Sequence, residues 1–595
     1  MSFKDFLKKL EWQDKALIVS IVILCLIQFS LLSKFVQVPG PFYGGDLYYH
    51  YGHAVDIREG GSIFASSHFL GEYEHYPWLF HVLVAFMSLL FGITVLKAFI
   101  FFPIIITILA GVIFYFLVLK LTGSKTISLV SALLWMVMSI PSSHPTTFSA
   151  KVIIPFFALM LFSADTRNKK ILAGIAYGLA GLAHVTAFLG ASLIILFYFI
   201  YKVIEKEKAG KINYAERIKN QVIFFLPIAV IGILIAMLYW WAPIFVYHGQ
   251  TPNNWQEYGS IGVANLNISW ILKSFGNVFF NTSGVLPFVI SIISLLGVYI
   301  ALTHLRKFNF MIILLVASLA GIIHPWLTMP LFGTSFGFYR FPEIVLLPAA
   351  ALFFGIGALI IFNSFRNENT KKLVLAVLIG LVVVNFYSVY AKYDNDQWTK
   401  VGRSITPDTG LMFAASDFFI QNTGVNDVIL ASNGESEFAI NALTGRKVVY
   451  MRSTHASPYA DVNKRVADSA IILYGDNETL RKQLLEEYHA TYFFFEPFSA
   501  QAAGTCVQAW DSFENPQAEG YTYYCMKTSP EYKSYLEANG VETKIVNARL
   551  DPANANAPKL DLLLIKPKQF AMNFTIIDSK GINNQTAYII AKINS

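Results

Sequence analysis

The sequence predicts a polytopic α-helical membrane protein followed by a soluble α/β domain. Three observations carry that fold class. Hydrophobic residues make up 55% of the 595 and charged residues only 14%, with 51 Phe, outside the range of a soluble protein of this length. The apolar excess is confined to residues 1–391, where runs of spanning length follow one another. Charge divides at the same place: residues 1–391 hold 26 Lys+Arg and 15 Asp+Glu, and residues 392–595 hold 19 and 23. The net charge of +7 therefore belongs to short loops between apolar segments, and nothing in it points to nucleic acid.

The first run, 16–36, follows Lys4, Lys8, Lys9 and Lys15. A span needs about 20 apolar residues, which this run supplies, and no small-x-small cleavage site follows, so an uncleaved anchor with a cytoplasmic N-terminus is expected. Further runs lie at 97–119, 126–141, 148–164, 171–185, 187–201, 221–243, 285–304, 308–327, 342–363 and 373–391. Together they make about eleven spans. The run 77–93 opens with Pro77-Trp78 and contains His81; it is expected to lie along the membrane surface. With 77–93 not crossing, loops on the cytoplasmic side carry twenty Lys/Arg and those on the opposite side before residue 391 carry six. That is the asymmetry of the positive-inside rule.

This topology puts 37–76, 141–151, 244–284 and 328–341 on one outer face, together with residues 392–595. The expected domains are 1–391, multispanning, with a first outer loop over 37–96, and 392–595, extracytoplasmic. In the latter, Val428–Leu430, Lys447–Tyr450 and Thr491–Phe495 have the pattern of buried strands. Asp461–Ile472 and Glu478–His489 have that of intervening helices, and the end from Asp561 is strand-rich. Cys506 and Cys525 share this domain in a compartment that permits a disulfide; their pairing stays open.

Polar groups collect where the chain meets lipid. The first loop supplies Asp46, Tyr49, His50, His53, Asp56, Glu59, Glu72 and Glu74; the second supplies His144 and Lys151; Arg340 stands at the mouth of the span 342–363. Ionisable groups at a membrane boundary cost free energy unless paired or wetted, which makes them candidate functional residues. Asp46 can cap a helix starting near Leu47. His50, one turn from Asp46, could join it in holding a divalent cation (Mg or Mn), with Glu72 and Glu74 as further candidate ligands. Asp56, Arg58 and Glu59 read as a solvated face. Arg340, among Phe338, Tyr339 and Phe341, suits holding a phosphate. No P-loop, dinucleotide-binding glycine fingerprint, HExxH or CxxC is present.

Asp46-Leu47-Tyr48-Tyr49-His50-Tyr51 and Ala54-Val55-Asp56-Ile57-Arg58-Glu59-Gly60 resemble the first outer-loop motif of GT-C glycosyltransferases, most of all archaeal-type oligosaccharyltransferase catalytic subunits. Tyr76-Pro77 resembles the start of that superfamily's outer helix. Tyr339-Arg340-Phe341 resembles its phosphate-contacting Arg-Phe, and Ala414–Thr423 the start of the soluble domain. Two departures stand out. Ser142–Ser149 replaces the expected acidic metal ligands, and Ala431–Glu437 stands where the sequon-reading Trp-Trp-Asp-Tyr-Gly would fall. Gly52 also occupies a position that is Arg in the family pattern.

The resemblance implies an inverting hexosyltransferase using a polyprenyl- or dolichyl-phosphate-linked sugar and a glycan, lipid or protein acceptor. Asp46 would be the general base. Lys151 and Arg340, with His50, His144 and Tyr49, would handle the donor and its phosphate. Two alternatives remain: oligosaccharyltransferase-like transfer to protein, or a non-catalytic lipid-linked glycan binder or transporter on the same scaffold.

Overall fold

The computed structural model describes residues 10–40, 45–205, 213–247, 268–280, 284–332, 337–452, 454–496, 522–527, 530–549, 559–582 and 585–594. Among the described residues, eight helices are long and apolar enough to cross a membrane: Trp12–Leu32, Val95–Thr122, Pro145–Phe162, Val185–Ile204, Tyr214–Val246, Val285–Thr303, Phe338–Ser364 and Glu368–Asn395. The chain is a multi-pass helical membrane protein. Lys125–Val137, Arg167–Ala183 and Lys307–Ile323 occupy the other expected span positions as shorter helices.

Local chemistry sets the ends. Thr94 and Ser124 cap Val95–Thr122 and Lys125–Val137 through their side chains. Gly92 and Gly123 take the left-handed conformation that ends the preceding helices. The apolar Leu79–Phe91 helix has 13 residues, about 20 Å at 1.5 Å per residue, short of a ~30 Å hydrocarbon core.

Close packing comes from small residues, as expected where lipid removes any hydrophobic gain from helix association. Gly297 and Gly357 let Val285–Thr303 and the Leu347–Ser364 helix approach closely. A Cβ at either would run into the backbone of Phe353 or Ile293.

Among the described residues, the C-terminal region holds eight strands: β1 (Val428–Ala431), β2 (Lys447–Val448), β3 (Ala490–Phe495), β4 (Thr522–Lys527), β5 (Thr543–Arg549), β6 (Lys559–Ile565), β7 (Phe574–Ile582) and β8 (Gln585–Ile593). One sheet has the order β2-β1-β3-β8-β7, parallel through β2-β1-β3 and antiparallel from β3 to β7; the other is β4-β6-β5. Helices Gly434–Thr444, Val462–Tyr474 and Glu478–Tyr488 make the crossovers. Cys506 lies outside the described residues, as does the side chain of Cys525, so the disulfide expectation is not addressed.

This domain is seated directly on the first loop. Gly52 packs so closely that a Cβ there would come 2.8 Å from Ala442 Cα. The position that is Arg in the resembling motif has no room here for any side chain. Lys447 Nζ pairs with Asp56 Oδ1 at 2.6 Å with both side chains buried, and Arg465 Nη2 pairs with Glu72 Oε1 at 2.5 Å. Asn441 donates to the Ser67 carbonyl at 2.8 Å, and Tyr247 stacks on Tyr459 at 4.1 Å. These contacts correct the sequence reading of Asp56 as part of a solvated face and give Glu72 an ion-pair partner in the second domain. They are docking residues: the second domain buries Asp56 and half-buries Glu72.

Candidate functional site

Asp46 opens the Asp46–Arg58 helix, but extended Gly45 is its N-cap, so the carboxylate caps nothing. Freed from that role, it gathers groups from three distant segments. His144 Nε2 lies 3.7 Å from Oδ2, Arg340 Nη2 lies 3.7 Å from the same oxygen, and His455 Nε2 lies 3.3 Å from Oδ1. The Asp46 side chain remains 56% exposed, so the cluster opens to solvent. His144, ahead of His455, holds the Asp46 carboxyl below the ordinary carboxylate range, against the opposing effect of burial.

Each partner is aimed by its own segment. His144 is the N-cap of the short helix Pro145–Phe148: its Nδ1 accepts the Thr146 amide hydrogen at 3.0 Å. A nitrogen that accepts an amide hydrogen carries none itself, so in neutral His144 the proton sits on Nε2, the atom facing Asp46. Arg340 ends a single 3-10 turn, Phe338–Arg340, entered through Gly337 at φ 62, a conformation that glycine adopts without strain. Its guanidinium lies over the Tyr339 ring at 5.3 Å and 3.7 Å from Glu343 Oε2. His455 follows β2 in the C-terminal domain, its Nδ1 3.1 Å from the Thr454 hydroxyl. Burial depresses His455, keeping the ring neutral.

Beneath Asp46 lies a buried layer of imidazoles. His50 Nδ1 and His81 Nε2 are 3.0 Å apart, and the His50 ring stands edge-on to His144 at 4.7 Å. The Tyr49 hydroxyl meets His75 Nε2 at 2.8 Å, and His68 Nδ1 meets Asn441 Oδ1 at 2.7 Å. Glu74 accepts the amides of His75 and Tyr76, both at 2.8 Å, with His53 Nδ1 at 3.4 Å. Burial alone would raise the Glu74 carboxyl, but His53, His75 and His68 hold it well below the usual range. Burial lowers His50 and His68 strongly and takes His75 to about 4.

Of the expected site residues, Asp46, His144 and Arg340 come together. His50 and Tyr49 are 2% and 6% exposed and form the floor beneath Asp46. Lys151 makes other contacts. Its buried ammonium donates to the Trp135 carbonyl at 2.6 Å and lies 4.4 Å from the Trp135 ring centroid. Its position in a π-helical turn of the Pro145–Phe162 span turns it into the bundle.

Among the described residues, no group of three or more His, Cys, Asp or Glu side chains is arranged to hold a metal ion. Asp46, His50, Glu72 and Glu74 do not converge: each is committed to the partners above. The donor set thus does not fit the Mg or Mn expectation. Ala431–Glu437 makes contacts within its own domain. Asn433 caps Gly434–Thr444, and the buried Glu437 carboxylate receives the amides of Ala431 and Tyr450 at 2.9 and 2.8 Å.

The residue that sequence reasoning missed is His455. Its only signal is a polar Arg452–His455 stretch after a strand, which nothing along the chain connects to a loop 400 residues earlier.

No protein-family model matches the chain. Among curated proteins, a stretch of 89 residues is 33% identical to an uncharacterized protein, MJ1080, of Methanocaldococcus jannaschii, covering 15% of this chain and 66% of that protein. The chain thus spans just under two thirds of that relative's length. Among solved structures, the oligosaccharyltransferase AglB of Archaeoglobus fulgidus, in complex with an inhibitory peptide and a dolichol-phosphate, is 14% identical over 82% of this chain and 70% of its own, with a TM-score of 0.47. ArnT of Cupriavidus metallidurans is 10% identical over 83% and 95%, with a TM-score of 0.49. The mycobacterial arabinofuranosyltransferase AftD is 11% identical over 98% and 40%, with a TM-score of 0.47. At such identities and TM-scores these likenesses bear no weight for activity, substrate or partners.

Proposed function

We propose that the protein is a membrane glycosyltransferase that moves a sugar from a polyprenyl-phosphate donor to an acceptor hydroxyl, with inversion at the anomeric carbon. One observation carries this reading: a solvent-open carboxylate, Asp46, shares its position at a bundle end with a guanidinium, Arg340, and an imidazole, His144. The carboxylate orients the acceptor hydroxyl and takes its proton; the guanidinium stabilises charge growing on the departing phosphate. Arg340 suits that task because its planar fork matches phosphate oxygens. An Asp held below its ordinary pKa is a weak base, so positioning and charge stabilisation supply most of the acceleration. No step is assigned to a metal.

The topology goes with this reading. Three apolar helices separate Asp46 from His144, and the two residues meet. An even number of crossings therefore lies between them. Leu79–Phe91 is the one to stay on the site's side: Phe99, near the start of the helix that follows it, accepts a hydrogen bond from Ser143, next to His144. That side, which carries the C-terminal domain, is the extracytoplasmic one on the loop-charge asymmetry.

The depressed Asp46 carboxyl also favours a second reading, a lipid-phosphate binder that transfers nothing. The purified full-length protein in nanodiscs, given polyprenyl-phosphate hexose and a membrane extract as acceptor, separates the two. Transfer by the wild type that disappears in Asp46→Asn supports the enzyme. Equal transfer by Asp46→Asn, or none by the wild type, removes the catalytic reading. A sequon peptide offered as acceptor tests the oligosaccharyltransferase-like alternative.

A further inference from the structure

The two oxygens of Asp46 face different partners. Oδ1 faces His455 of the C-terminal domain, whereas Oδ2 faces both Arg340 and His144. The pair on Oδ2 is also the pair best placed for a donor phosphate. We propose that Asp46 Oδ2 is an internal stand-in for a phosphate oxygen: the donor's phosphate takes Arg340 and His144 from the carboxylate and thereby releases the base it needs. The proposal rests on the glycosyltransferase reading and adds an order of events to it.

Three features of the geometry support an exchangeable contact. Both Oδ2 separations are 3.7 Å, longer than the ~2.7–2.9 Å of a tight charged hydrogen bond. Arg340 is equally far from Glu343, so it is divided between two carboxylates and locked to neither. Asp46 is half-exposed, so a phosphate can approach without unpacking the core. His455 stays on Oδ1 through the exchange and keeps the carboxylate oriented.

The chemistry balances. The anomeric carbon–oxygen bond to phosphate breaks as the bond to the acceptor oxygen forms, and the acceptor's proton passes to Asp46. The donor phosphodiester carries one negative charge and the departing phosphate monoester gains another. Arg340 and His144 are therefore drawn from Asp46 as the bond breaks, and the carboxylate becomes more basic when the proton arrives.

The test is a binding experiment that a simple structural role does not mimic. Farnesyl phosphate and inorganic phosphate are titrated against the full-length protein in nanodiscs. If Asp46 competes with phosphate for these two donors, Asp46→Asn binds farnesyl phosphate about tenfold more tightly than the wild type while transferring no sugar. That gain disappears when Arg340→Gln and His144→Gln are added, which makes the cycle non-additive. Unchanged or weaker binding by Asp46→Asn overturns the proposal, as does a gain that survives loss of both Arg340 and His144. A gain with inorganic phosphate but not with farnesyl phosphate assigns the site to a free anion and overturns the lipid-donor version. A wild type without transfer activity sinks the enzymatic reading separately, whatever the titrations show.

Discussion

His455 Nε2 lies 3.3 Å from Asp46 Oδ1, across 409 positions of sequence. The candidate carboxylate is thus completed by a domain that the membrane bundle does not contain. Correct seating of the C-terminal domain becomes a condition for the geometry at Asp46, and the buried contacts around Gly52, Asp56 and Glu72 are what seat it.

His455 should act through Asp46 as a positioning residue. His455→Ala is expected to lower kcat about tenfold, equivalent to roughly 1.4 kcal/mol, with the donor KM unchanged. His455→Gln, which can keep an N–H near Oδ1, should restore most of the loss. Steady-state kinetics checks this; a rise in KM alone would point to donor binding instead.

The Lys447–Asp56 pair is buried on both sides, so removing one partner leaves a stranded charge. Lys447→Met should destabilise the protein by about 3–5 kcal/mol, and Lys447→Met with Asp56→Leu should recover most of it. Thermal melting of the solubilised protein measures both. Equal losses in the single and double variants would contradict the stranded-charge account.

Gly52→Ala forces a methyl against the Ala442 backbone. The expected cost is about 1–3 kcal/mol, the range for overpacking. Gly52→Arg should lift the domain away and expose the Asn441–Gly445 turn to protease. Intact protection in that variant would show that the helix can shift to make room.

Arg340 and Lys151 should separate cleanly. Arg340→Gln is expected to lower kcat/KM about 100-fold, on the order of 2.7 kcal/mol, the scale for losing one charge-stabilising donor. Lys151→Met, of similar shape within the bundle, should leave donor affinity unchanged. A donor-binding defect in Lys151→Met would return that residue to the site.

Acid should loosen the histidine floor. The unfolded chain takes up a proton on His75 near pH 6.5, whereas burial holds the folded value at about 4. The native state therefore binds fewer protons in that window, and stability falls as pH drops from 6.5 toward 4. At about 1.36 kcal/mol per pKa unit, His75 alone accounts for roughly 3 kcal/mol. Chemical denaturation at a series of pH values should show this slope, and His75→Gln should flatten it.

Much of the layout was readable along the chain because it depends on local pattern. The apolar runs mark each of the eight candidate spans among the described residues, since a bilayer demands length and low polarity from each segment independently. The βα order of the C-terminal domain follows from short β-branched and aromatic runs alternating with amphipathic ones. Asp46, His144 and Arg340 stood out for the same kind of reason: each is a polar group beside lipid.

What the sequence by itself determined, then, is where the chain becomes helical, where it changes from membrane-type to soluble composition, and which polar residues stand at the boundary. Only the tertiary structure decided their company. It turned Lys151 into the bundle and buried His50 and Tyr49. It spent Asp56 and Glu72 on domain docking, and brought His455 to Asp46. The physical reason is that burial and pairing belong to surfaces meeting across hundreds of residues, and periodicity within one segment carries no record of the surface that will cover it.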